Sequence, residues 1–76
     1  MKKFIEFCAR QLVDHADGVH VDQRESGDTV VLTLRVSPGD LGKVIGREGR
    51  TAQALRTLLS AAASAKGMRA TLEIAD

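Results

Sequence analysis

The sequence predicts an α+β domain in which a three-stranded mixed sheet carries three helices on one face, in the order α-β-β-α-α-β. Three observations lead there. The hydrophobic period is helical from Lys2 to about Ala16 and again from Leu41 onward, and it is two between Val19 and Val36. Turn-forming clusters, Asp17-Gly18, Ser26-Gly27-Asp28 and Ser37-Pro38-Gly39-Asp40, separate those runs. A strand, two helices and a last strand form a crossover, and the right-handed rule for such connections sets the last strand parallel to the one before the helices.

The first helix spans Lys2 to about Ala16. Phe4, Ile5, Cys8, Ala9, Leu12 and Ala16 share one sector of the helical wheel, with Lys3, Glu6, Arg10 and Asp14 opposite and with Phe7 and Val13 outside it. Asp17-Gly18 ends it, with Gly18 expected as a left-handed cap. Val19 and Val21 face inward on the first strand, away from His20, Asp22 and Arg24. After the turn, Val30, Leu32, Leu34 and Val36 line the inner face of a second strand, expected at the centre of the sheet because Val31 makes its outer face apolar too. Asp40 is expected to cap a short helix with Leu41, Val44 and Ile45 on its apolar face. The long helix runs from about Arg50 to Ala65 with Ala52, Leu55, Leu59 and Ala62 inward, and Lys66-Gly67 suits its end. Ala70 to Ala75 closes the sheet with Ala70, Leu72 and Ile74 inward.

At 76 residues, 43% of them hydrophobic, residues 1–76 are expected to form one domain, large enough for a single two-layer core but not for a deep catalytic cleft plus a second domain. No apolar run approaches a membrane span, and Glu6 and Arg10 interrupt the opening residues where a signal peptide needs an apolar stretch, so a cytoplasmic protein is expected. Cys8, the one cysteine, has no internal disulfide partner. Net charge is only +1, but it is unevenly placed. Asp14 to Asp28 holds five acidic residues and one basic, whereas Leu41 to Ser60 holds Lys43, Arg47, Arg50 and Arg56 against Glu48 alone. A local field of this kind attracts an anion despite a near-neutral whole.

That positive charge surrounds Val44-Ile45-Gly46-Arg47-Glu48-Gly49-Arg50, where one helix ends and another starts within a few residues. Glycine reaches the backbone angles such a bend needs. Two readings fit. Gly46 and Gly49 only turn the chain, or they bare a ridge of main chain to a sugar-phosphate backbone, with the N–H groups opening the second helix and the flanking Arg47 and Arg50 binding an anion.

The same stretch, with Val-Ile before its first glycine and helices on both sides, resembles the I-G-x-x-G core of the KH domain. A helix and a strand precede that core, so the order resembles the type II KH fold rather than type I. Extended through Gly49-Arg50-Thr51-Ala52-Gln53-Ala54-Leu55-Arg56-Thr57-Leu58-Leu59, the resemblance covers nearly the full chain and is similar to the KhpA (YlqC) family of small stand-alone bacterial KH proteins. It implies binding of single-stranded RNA, about four nucleotides at a time, with Gly46, Arg47, Glu48 and Gly49 as the clamp. Lys43 and Arg50 become candidates for phosphate contacts, and Val44 and Ile45 for the apolar side of the groove, in part shared with the core. Glu48 departs from the polar or basic pair that many members carry there; it weakens the local field or pairs with a neighbouring arginine. The resemblance further implies pairing with a second copy and with KhpB, a larger KH-containing protein also called Jag or EloR. With it comes a role as RNA chaperone or post-transcriptional regulator tied to cell elongation and division.

Phe4 and Phe7 are the only aromatic residues, so recognition by stacked bases is not expected, and binding by one copy should be weak and salt-dependent. Ala54, Leu58, Ala61 and Ala65 form a second strip on the long helix, beside its inner stripe. They suit a close helix-to-helix dimer contact, or serve helix propensity alone. An enzyme finds little support. His15 and His20, with Asp14, Asp17 and Asp22 nearby, match no metal-ligand spacing, so no metal or cofactor is expected. The glycine turn is neither a dinucleotide motif nor a P-loop, and Thr51 and Ser60 have no neighbouring histidine in sequence to act as base. The remaining alternative is a protein-interaction module with a KH shape and no significant nucleic-acid binding.

Overall fold

A computed structural model describes all 76 residues. The elements are α1 (Lys2–Leu12), β1 (His20–Ser26), β2 (Thr29–Arg35), α2 (Leu41–Ile45), α3 (Arg50–Ser64) and β3 (Arg69–Ala75), with single 3-10 turns at Ala16–Gly18, Pro38–Asp40 and Arg47–Gly49. The sheet order is β1-β2-β3, with β1 antiparallel and β3 parallel to the central β2. Element order, mixed sheet and the parallel third strand are as the sequence predicts.

Alternation makes the sheet one-sided. Val21 lies opposite Leu34 and Leu32 opposite Leu72, all facing the helices, while His20, Asp22 and Arg24 face solvent. Ile5 and Ala9 of α1, Val44 of α2, and Leu55 and Leu59 of α3 close over them as one core. Each fully buried large aliphatic side chain contributes about 2 kcal/mol. At the end of α3, Gly67 takes φ 71°, and the amides of Gly67 and Met68 bond the carbonyls of Ser64 and Ala63 at 2.9 Å each, a Schellman closure.

The structure corrects the sequence reading at five places. α1 stops at Leu12, not Ala16: Val13 is extended, and the amides of Asp14 and His15 turn to the carboxylate of Asp40 at 3.4 and 3.0 Å. Those two donors would otherwise bond carbonyls within a longer helix, and a hydrophobic period cannot register an acceptor that arrives from 25 or 26 residues away. Asp40 accordingly does not cap α2 through its side chain. Gly18 is not left-handed; it is a close approach, since a Cβ there would lie 2.3 Å from Ser37 Oγ. On α3 the fourth inward residue is Ala63, fully buried, and Ala62 is exposed, a shift of one position as the helix leans onto β3. On α1, Phe4 and Leu12 are exposed despite lying in the apolar sector, and Val13 packs on the core from outside it.

Candidate nucleic-acid interface

α2 is held by Val44, fully buried, and its last turn closes when the Gly46 amide bonds Gly42 O at 2.9 Å. Gly46 then takes φ 78° and ψ 173°, a region open essentially to glycine alone. A Cβ there would meet Thr51 Oγ1 at 2.2 Å and Thr51 N at 2.9 Å, so the absent side chain lets α2 and α3 converge. Glu48 follows at φ 56°, ψ 24° and Gly49 at φ 76°, ψ 12°, two successive left-handed residues. Nothing lies within 4 Å of where a Gly49 Cβ would be. The loop is thus a tight bend with one glycine pressed against the protein and the other open to solvent.

The amides do not all point outward. Gly49 N bonds Gly46 O at 3.1 Å and Arg50 N bonds Arg47 O, so two donors expected to bind an anion at the start of α3 serve the bend itself. The cations that remain to meet an anion at the bend are therefore side chains. Arg47 is exposed and in no ion pair, whereas Arg50 pairs with Glu48 at 3.6 Å, the pairing anticipated for that acid. Lys43 is engaged as well: its Nζ bonds Asp14 Oδ2 and lies 3.6 Å from Asp40 Oδ1. The hydrogen bond from Lys43 to Asp14 raises the lysine pKa above its ordinary value, with Asp14 and Asp40 adding their charge. Asp40 is 1% exposed; burial alone would raise its pKa, but the His15 amide, the His15 ring at 3.1 Å and the Asp14 amide outweigh it, and the pKa is lowered. Ile45 is 37% exposed beside the bend, an apolar surface available to a ligand.

A second groove lies between α3 and β3, lined by Arg56, Leu59, Ser60, Ala70, Thr71 and Leu72. β3 is an edge strand, paired only with β2. Arg56 Nε donates to Leu72 O at 3.3 Å, so Leu72, and by alternation Ala70 and Ile74, turn their main-chain groups away from the sheet. Arg56 is seven residues beyond Gly49, about 10 Å along α3, so the groove opens two helical turns from the bend. In the sequence Arg56 counts only among the cations of the local field, and nothing there places it at this edge. The signal available was the order of the strands, since an edge next to a cation-bearing helix follows from a parallel last strand.

Of the proposed dimer strip, Ala54, Leu58, Ala61 and Ala65 are all exposed. Ala54 and Leu58 join Phe7, Leu12, Leu55 and the half-buried Cys8 in an apolar groove between α1 and α3; Ala61 and Ala65 lie outside it. Phe7 at 64% and Leu58 at 53% are the most exposed large apolar side chains. His15 pairs with Asp40, and His20 stands alone on β1.

Residues 2–74 match the model of the family described as KhpA/KhpB, KH domain. The chain is 49% identical over 76 residues to the RNA-binding protein KhpA of Aquifex aeolicus, covering all of this chain and 96% of that protein. It is 46% identical to the protein of the same name from Halalkalibacterium halodurans, covering both chains in full. It is 47% identical over 74 residues to that from Borreliella burgdorferi, covering 97% of this chain and 90% of the relative. No solved structure matches. The family is a non-enzymatic one. No helix is long and apolar enough to cross a membrane.

Proposed function

The chain belongs to the KhpA/KhpB KH-domain family, and from that premise we propose that it binds single-stranded RNA. Gly46, Arg47, Glu48 and Gly49 clamp the sugar-phosphate backbone, Lys43 and Arg50 contact phosphates, and Ile45 with the α3–β3 groove accommodates the bases; Val44, expected to share that role, is fully buried and serves the core alone. The observation that carries this reading is the bend itself: a glycine-only conformation at Gly46, an open face at Gly49 and an unpaired Arg47 between them. The outward main-chain groups of β3 supply donors and acceptors for base edges where aromatic platforms are absent. Binding by one copy is weak and little selective. Titrating short single-stranded RNAs at rising salt tests it: affinity should fall steeply with salt, and an affinity indifferent to salt contradicts a phosphate-led mode.

A second copy, or KhpB (Jag/EloR), pairs through α3, which would compensate for weak single-site binding. The apolar groove around Phe7, Ala54 and Leu58 supports a contact there. In the cell the protein acts in the cytoplasm as RNA chaperone or post-transcriptional regulator linked to cell elongation and division. The same groove favours the second reading, a KH-shaped protein-interaction module; filter binding with pooled cellular RNA separates the two, since the module retains none.

A further inference from the structure

We propose that Asp14 is a built-in competitor for the RNA backbone: it holds Lys43 in the RNA-free protein and yields it to a phosphate of the bound strand, thereby setting affinity and salt dependence. This rests on the RNA-binding reading above. Lys43 is the cation of α2 nearest the bend, three residues before Gly46, and two carboxylates hold it. They are not equivalent. Asp40 is buried, and its oxygens accept the amides of Asp14 and His15 and the His15 ring nitrogen, so it stays where it is whether or not RNA is bound.

Asp14 is different. Its side chain is 69% exposed and its carboxylate has Lys43 as sole hydrogen-bond and ion-pair partner. Its main chain is anchored independently, through its amide on Asp40, so the carboxylate can swing into water without disturbing the connector between α1 and β1. Lys43, 43% exposed, is accessible to an incoming phosphate. An exposed pair of this kind changes an equilibrium constant by at most about fivefold, which is small enough for a phosphate to displace it and large enough to measure. Glu48 holds Arg50 by the same logic, leaving Arg47 and Arg56 as the uncompensated cations of this surface before RNA arrives.

The test measures binding of a labelled single-stranded RNA of mixed sequence to the wild type, Asp14→Asn, Lys43→Gln and the double variant, between about 50 and about 200 mM salt. Asp17→Asn serves as control, removing an exposed acid that has no contact with Lys43. Circular dichroism melts confirm that each variant folds. Asp14→Asn should bind about threefold to fivefold tighter at low salt, with a steeper salt dependence, and Asp17→Asn should gain less. The gain should vanish when Lys43 is glutamine, the non-additivity of two residues acting through one contact. A gain that survives in the Lys43→Gln background, or no gain where the wild type binds, overturns the proposal and leaves RNA binding intact. A wild type that binds no RNA at all overturns both.

Discussion

At Gly46 a substituent meets two obstacles at once, a backbone region reserved for glycine and the Thr51 main chain 2.9 Å away. Gly49 presents only the first kind of obstacle, and in milder form, because its left-handed angles also admit asparagine and the space around it is open. Gly46→Ala should therefore lose about 3 kcal/mol or more of stability in urea unfolding, and Gly49→Ala about 1 kcal/mol. Equal losses would contradict the assignment. Glu48, at φ 56°, is the only residue other than glycine with positive φ. Glu48→Asn should gain about 0.5 kcal/mol by fitting that conformation and should also strengthen RNA binding by releasing Arg50. Both glycines were legible in the sequence as a turn between helices. Which one is pinned was not, because that depends on Thr51 packing back on Gly46, and neither was the inward turn of the Gly49 and Arg50 amides.

Between elements, Asp40 ties the connector after α1 to the start of α2, and so fixes the helix that leads into the bend. Because its pKa is lowered, the stability it contributes is present at neutral pH and is lost as pH falls below the ordinary aspartate value near 3.8. Lys43 behaves oppositely: with its pKa raised, its contribution persists up to the ordinary value of 10.5 and fades only as pH climbs through the raised one. Asp40→Ala should lower Tm by roughly 10 °C at neutral pH, since it strands the amides of Asp14 and His15, and the gap to the wild type should narrow in acid. A gap unchanged at low pH would mean the carboxylate charge is not what matters. Sequence periodicity identified every helix and strand, yet it ran α1 on to Ala16 and gave Asp40 to the wrong helix end. Both errors have one cause, an acceptor distant in sequence that outcompetes local helical bonds.

For the molecule as a whole, the parallel β3 followed from the crossover rule, and with it came an edge strand facing α3. The second apolar strip of α3 was legible as well; its extension onto α1 through Phe7 and Leu12 was not, because two separate helical wheels do not show which faces meet. If this surface joins two copies, sedimentation at micromolar concentration should give a dimer for the wild type and a monomer for Leu58→Asp, while a strictly monomeric wild type would reject the interface. The proposed grip of the bend between α2 and α3 on an RNA strand is decided by titrating single-stranded RNA into the wild type and into the double variant Arg47→Asp, Glu48→Asp, with melts run in parallel. The wild type should bind in a salt-sensitive way and an equally folded variant not at all; undiminished binding by that variant would place the RNA elsewhere on the protein.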